Sequence, residues 1–165
     1  MKNIPFVPYS RLYTEGRDSF VKIFDDVCRR NALMSHAQER FFAEELEKKY
    51  PTAISDGRTG MADIVIPEIN KEVECKLTTK RSKGGFSLQT DYNTLSKKGS
   101  LDFLYVLTDR GFSKFSVLFF KGLTVDDFHP PSPGSKGKAK MNKSIGMKKC
   151  EVLVGEISVQ NKIEI

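Results

Sequence analysis

Asp63, Glu74 and Lys76 are the residues of this sequence whose types and spacing could do chemistry. An acid at the start of one short apolar run is followed, on the next run, by acid-x-Lys. Two carboxylates converging from neighbouring strands suit a hard divalent cation such as Mg²⁺, which takes oxygen ligands and keeps several of its waters. Such a cation polarises a phosphate ester, stabilises charge on its oxygens and lowers the pKa of a bound water. Lys76, two residues beyond Glu74 and so on the same strand face, would touch the attacking water or the phosphate. The carbonyl of Cys75 is a further candidate metal ligand, a role in which its thiol has no part. This is the constellation that metal-dependent phosphodiester hydrolysis asks for. As bare spacing, however, it recurs by chance, and the bland alternative is a solvated strand face with two surface charges.

The surrounding elements weigh on the side of the catalytic alternative and leave the other open. Ala62 to Ile66 and Glu72 to Leu77 read as two strands joined by Pro67-Glu68-Ile69-Asn70-Lys71. The second alternates, with Val73, Cys75 and Leu77 on one face and Glu72, Glu74 and Lys76 on the other. Upstream, Phe20, Val21, Phe24, Val27 and Cys28 recur at helical spacing within an amphipathic helix over Arg17 to Arg30. A second helix is expected from Ser35, where Ser35 and Gln38 make a capping-box pattern, to Tyr50, with Pro51 as its stop. Asp56-Gly57-Arg58-Thr59-Gly60 reads as a turn or mobile loop. Downstream, a basic loop (Thr78 to Gly85) leads to a helix from Leu88 to about Lys97. Two strongly apolar strands follow, Leu101 to Thr108 and Phe115 to Phe120, around the turn Asp109-Arg110-Gly111. His129 to Gly146 is expected to be a long loop, and Glu151 to Ile165 one or two strands.

Length and composition set the frame. The 165 residues, 39% hydrophobic and 29% charged, fit a single domain over 1–165 with a real core, and exclude a disordered or fibrous chain. No apolar run approaches the roughly 18 residues of a membrane span, and the start lacks a signal-peptide core, so a cytoplasmic, membrane-free protein is expected. Cys28, Cys75 and Cys150 give neither a disulfide framework nor, with His36 and His129, a zinc pattern. Neither histidine is paired with a nucleophile. Lys and Arg total 27 against 21 Asp and Glu, a formal +6. The segment 130–150 carries Lys136, Lys138, Lys140, Lys143, Lys148 and Lys149 without an acid, so the basic loop at about 129–149 suits either a solubilising insertion or an arm on phosphates. Lys80, Arg81 and Lys83, directly after the acid-x-Lys strand, and Arg58 before it, are candidates for contacting a nucleic-acid backbone.

The run Gly60-Met61-Ala62-Asp63-Ile64-Val65-Ile66, then Glu72-Val73-Glu74-Cys75-Lys76, resembles the PD-(D/E)xK superfamily of restriction-endonuclease-like nucleases and junction resolvases. The resemblance covers about residues 35 to 98 and departs from the motif at its proline, replaced here by Ala62. It implies an α/β fold with a restriction-endonuclease-like core, a central mixed β-sheet flanked by helices, and Mg²⁺ dependence, with Mn²⁺ able to substitute. Members often add an acid from the preceding helix; Glu39, Glu44 or Glu45 could serve, and Glu39 is favoured. Some carry a glutamine and a tyrosine one helical turn apart after the lysine, which Gln89-Thr90-Asp91-Tyr92 resembles; such a pair would contact the phosphate or hold Lys76, or else be a surface polar residue and a core aromatic. The expected activity is a DNA endonuclease of restriction or homing type, acting as a homodimer on duplex DNA. A Holliday-junction resolvase shares the same core. A non-catalytic nucleic-acid-binding protein is the rival of another class.

Overall fold

In the computed structural model, residues 27–56, 58, 61–157 and 163–164 are described. From Val27 to Glu47 the chain contains neither proline nor glycine and forms one helix, α1. The helix runs through Ser35 without a break, which corrects the expected start there. A serine inside an otherwise helix-forming run costs only a few tenths of a kcal/mol, about the size of ordinary propensity differences, and does not end it. Of the helix expected over Arg17 to Arg30, only its last residues fall among those described, and they belong to α1. The chain leaves α1 through a turn in which the Tyr50 N–H still donates to the Leu46 carbonyl (2.8 Å), and Pro51 prevents continuation.

Next come the short strands β1 (Ile54–Ser55) and β2 (Ile64–Ile66), a 3-10 turn over Pro67–Ile69, and the long strand β3 (Lys71–Thr79). Asn70 takes a left-handed conformation (φ 50°) that reverses the chain tightly enough to pair β2 with β3. After a loop, β4 (Gln89–Asp91) precedes helix α2 (Tyr92–Lys98), so the helix expected from Leu88 starts later than its sequence pattern indicates. Asp91 fixes that start, its carboxylate accepting the Thr94 N–H (2.8 Å). Strands β5 (Leu101–Thr108) and β6 (Phe115–Leu123) follow as expected, then β7 (Phe128–His129), β8 (Lys138–Met141), the single turn α3 (Lys143–Gly146) and β9 (Cys150–Val154). Glu156–Ile157 (β10) pairs with Ile163–Glu164 (β11).

The architecture is mixed α/β around a six-stranded sheet of order β1-β2-β3-β5-β6-β9. Only β3 and β5 run parallel; the remaining pairs are antiparallel. β5 is buried along its whole length. The sheet has a core on each side. Ala43 of α1, with Phe42, Leu46 and Tyr50 beside it, packs on Ile64, Ile66, Val73, Cys75 and Leu104. The larger core, on the other side, is built around Phe86, Leu95, Phe103, Tyr105, Leu118 and Phe120. Each such side chain contributes on the order of 1.5–3 kcal/mol by leaving water.

A three-stranded sheet, β4-β8-β7, lies against the larger core through Phe128, Ala139 and Met141. The expected long loop at 129–146 is thereby corrected: part of it is β8, whose Ala139 and Met141 are buried and whose Lys138 and Lys140 are exposed. The Tyr105 hydroxyl donates to the Gln89 carbonyl (2.9 Å) and ties this small sheet to the large one. Among the described residues no helix is long and apolar enough to cross a membrane.

Candidate active site

The site forms where two strands part. β2 and β3 are paired only from Ile64–Ile66 to Lys71–Val73, so beyond Val73 that edge of β3 has no neighbouring strand. A buried strand edge must satisfy its N–H groups otherwise. Asp63 does this, its Oδ2 accepting the Cys75 N–H at 2.8 Å. The chain also changes sides of the sheet here, with Ala62 buried in the larger core and Ile64 in the one under α1. Asp63 is thus held at the sheet edge between two buried anchors.

Glu74 and Lys76 come from the alternate positions of β3, on the face opposite Val73 and Cys75. Glu72, first on that face, is bound by Lys98 of α2 through both carboxylate oxygens (2.8 and 2.6 Å) and so plays a structural part. Lys76 Nζ donates to Glu74 Oε1 and lies 3.8 Å from Asp63 Oδ2. Glu74 is 9% exposed, and its Oε2 is buried without a hydrogen-bond partner among the described residues. An orphaned buried carboxylate oxygen is costly.

Glu39 of α1 joins this group electrostatically. Burial raises its pKa, the Asp63 carboxylate raises it further, and Lys76 and His36 pull it down. Glu74 is also raised, by burial and by Asp63 against the pull of Lys76. Burial lowers the Lys76 ammonium, but Glu74 and Asp63 outweigh it and hold the pKa above the ordinary value. All three shifts have one source: three carboxylates share one ammonium in a poorly hydrated place. Glu44 and Glu45 lie on the exposed side of α1, 3.5 Å from Arg40 and 2.5 Å from Lys48 respectively. Cys75 points into the core under α1, where burial pushes its thiol far up; only its backbone is at the site.

Among the described residues no three His, Cys, Asp or Glu side chains are gathered closely enough to hold a metal ion by themselves. Mg²⁺ asks for less, since it binds through one or two carboxylates and completes its shell with waters and substrate oxygens. Asp63 and Glu74, with the free Glu74 Oε2, fit that requirement.

Beside Lys76 opens a cleft of about 590 Å³ between the first half of α1 and strands β3 and β4. Gln89 and Lys138 line it, as do residues to which the sequence assigns no functional role: Asn31, Ser35, Thr78, Ser87 and Thr90. Asn31 Nδ2 donates to Thr79 Oγ1 (3.3 Å), bridging helix and strand. The signal that could have found them is the polar set Asn31, Ser35, Gln38 and Glu39, which continues the apolar stripe of Phe42 and Leu46 at helical spacing.

The other candidates are more scattered. Tyr92 packs against the larger core. Arg58 is turned onto Asp56 (Nε–Oδ1 2.8 Å), and those hydrogen bonds hold the Asp56 carboxyl at about 2. Lys80, Arg81 and Lys83 are exposed on the loop after β3, and Lys136 and Lys140 are exposed around β8. His129 is exposed, and the His36 side chain, 74% exposed, lies 3.8 Å from Glu39. No family model matches the chain, and no curated protein matches it at a significant level.

Proposed function

We propose that the protein is a Mg²⁺-dependent DNA endonuclease with a restriction-endonuclease-like core of the PD-(D/E)xK superfamily, acting as a homodimer on duplex DNA. The observation that carries the reading is the convergence of Asp63, Glu74 and Lys76 at the open edge of β3, with a carboxylate oxygen left unpartnered beside a polar cleft. A solvated strand face would not bury Glu74 or need Asp63 to finish its backbone hydrogen bonding.

Asp63 and Glu74 would hold the cation, with Glu39 as the third carboxylate of the set. When bound, Mg²⁺ supplies charge stabilisation on the phosphoryl oxygens and a more acidic water. The protein's own part is positioning. Hydrolysis adds a water oxygen to phosphorus and breaks one bridging P–O bond, and negative charge builds on the non-bridging oxygens. Lys76, protonated and held by two carboxylates, presents a fixed cation to that charge. Asp63, anchored to the Cys75 N–H, cannot swing away as the substrate enters. The cleft wall offers hydroxyls and amides to the neighbouring nucleotide, and Lys138 faces its phosphates.

The test is nicking of supercoiled plasmid and cutting of a four-way junction, in Mg²⁺ or EDTA. Wild type is expected to cut in Mg²⁺ only, and Lys76→Ala to lose about 100-fold or more of the rate, as removal of one fixed charge from a transition state does. Preference for the junction would make the enzyme a resolvase. Salt-sensitive binding with no cutting of DNA or RNA in either Mg²⁺ or Mn²⁺ would sink the catalytic reading and leave a binding protein.

A further inference from the structure

The cleft beside Lys76 has its cause in the sequence of α1. Cys28, Ala32, Ser35, Glu39, Phe42 and Leu46 follow one another at steps of three and four residues and so form one stripe of the helix. In the second half of α1 the large members of that stripe, Phe42 and Leu46, pack on the core that holds Val73 and Cys75. In the first half the stripe carries Cys28, Ala32 and Ser35, all small. Leu77, the next position after Cys75 on that face of β3, is left half-buried beneath them and lines the cleft with them. Protein interiors leave few voids larger than a water molecule, so an opening of about 590 Å³ at this place is a feature of the fold rather than a packing defect.

The lining divides by chemistry. Ala32 and Leu77 offer apolar surface. Tyr105 is the aromatic residue of the lining, but it is 1% exposed and its hydroxyl is bound to the Gln89 carbonyl (2.9 Å). That bond fixes the backbone of Gln89, whose side-chain amide can both donate and accept. Asn31 gives an N–H to Thr79 Oγ1 (3.3 Å), while its Oδ1 is buried without a partner among the described residues. Lys76 stands on the β3 wall and Lys138 on the wall formed by the small sheet. Asp91, the acid of the lining, caps α2 through the Thr94 N–H (2.8 Å).

An occupant that fits this lining has an apolar face, a hydrogen-bonding edge and negative charge on two sides. A nucleotide within a strand has all three, because its base is flat and edged with donors and acceptors and a phosphate flanks it on either side. The volume lies in the range of about 300–1,000 Å³ that encloses one small molecule. A duplex, whose major groove alone is about 12 Å wide, does not enter it. We propose that the cleft receives one nucleotide of the DNA strand, turned out of its stack beside the phosphate that is cut, with its base against Ala32 and Leu77 and its edge on the Gln89 and Asn31 amides. Its flanking phosphates then fall to Lys76 and Lys138. The proposal rests on the nuclease reading for the position of the cut phosphate at Lys76.

The experiment measures binding in EDTA, where nothing is cut, of two duplexes that carry 2-aminopurine at the same position, paired with thymine in one and facing an abasic site in the other. Wild type is expected to bind the unpaired duplex about tenfold or more tighter, since that nucleotide has no pairing left to give up. The 2-aminopurine fluorescence should rise on binding, because the base leaves the stack for a cleft with no open aromatic ring. Ala32→Leu and Ser35→Leu fill the cleft without touching Lys76. Both are expected to melt at or above the wild-type temperature and to lose the preference and the fluorescence rise, whereas Ala37→Leu, on the exposed side of α1, keeps both. Equal affinity of wild type for the two duplexes, or no rise, overturns the proposal while Mg²⁺-dependent cutting keeps the nuclease reading; this comparison decides even where a variant fails to fold. A preference that survives in both folded Leu variants places the nucleotide elsewhere and also overturns it. If preference and rise are seen but wild type never cuts DNA, the nucleotide cleft stands and the nuclease reading fails. A deoxynucleoside monophosphate that raises the melting temperature of a protein that does not bind DNA overturns the proposal in favour of a pocket for free nucleotides.

Discussion

Glu74 combines two properties that oppose each other in a folded protein: it is a carboxylate, and it is almost entirely removed from water. One oxygen is paired with Lys76 and the other with no group among the described residues. The neighbouring Asp63 and Glu39 add charge of the same sign, so one ammonium faces three acids. The consequence for stability follows from the direction of the shift. A carboxyl whose folded pKa lies above its unfolded value favours the folded state most below the ordinary value of 4.5, and loses that contribution as pH rises through the folded value. At neutral pH without metal the ionised group therefore works against the fold. Glu74→Gln keeps the shape and removes the charge. In EDTA at pH 7 it is expected to melt higher than wild type, each ~1 kcal/mol appearing as about 2–4 °C in a domain of this size, with the gap closing as the buffer approaches pH 4. Mg²⁺ should raise the melting temperature of wild type and leave the variant unmoved. A variant that melts lower than wild type at pH 7 would mean that the Lys76 contact outweighs burial and that the acids are not in conflict.

Strand β3 has to serve the sheet and the site at once, and the division falls at Val73. Before it, β2 completes the backbone hydrogen bonding; after it, Asp63 does. This gives the two common replacements of Asp63 different outcomes. Asp63→Asn keeps an oxygen for the Cys75 N–H, so it is expected to fold like wild type and to lose cutting. Asp63→Ala leaves that N–H unsatisfied, and should cost about 1–3 kcal/mol of stability as well. Urea unfolding of the two variants measures the difference; equal midpoints would show that the Asp63 side chain does not support the strand edge. Much of this element was legible beforehand, because the alternation Glu72, Glu74, Lys76 against Val73, Cys75 is a period-two signal that burial must respect. Glu39 was named only through the resemblance, beside Glu44 and Glu45; that its side chain lies on the inner side of α1 is seen only in the structure. The parting of β2 from β3 was not, since the apolar run Ala62 to Ile66 reads the same whether it pairs along its length or crosses the sheet at Asp63. Tertiary context also overrode three local signals: Ser35 and Gln38 sit inside α1, Gln89 is held in a strand by Tyr105, and β8 hides its alternation because Ala139 and Met141 are weak strand formers between lysines.

Across the whole molecule, the lysine excess of residues 130–150 is not a uniform arm. Lys149 is drawn inward by the buried Asp127 (2.7 Å), while Lys138 and Lys140 stand exposed on the small sheet beside the cleft. The basic residues nearest the cleft are thus carried on a strand of the small sheet rather than on a free arm. The described chain presents this cleft once, with one set of Asp63, Glu74 and Lys76. On the proposed reading, duplex DNA would place two scissile phosphates on opposite strands, running in opposite directions, and one bound chain would address one of them. In the proposed homodimer a second chain related by a two-fold axis would address the other, because the axis reverses the strand direction as the duplex itself does. On supercoiled plasmid this predicts a specific order of products and of kinetics. Nicked circles should dominate when protein is scarce, and the rate of linearisation should rise with about the second power of protein concentration until the DNA is saturated. A mixture of wild type with Asp63→Asn should divert plasmid from linear to nicked form, since mixed pairs hold one working site. If linearisation instead follows the first power throughout and the inactive chain does not divert it, each strand is cut by a chain acting alone, and the homodimer is not part of the mechanism.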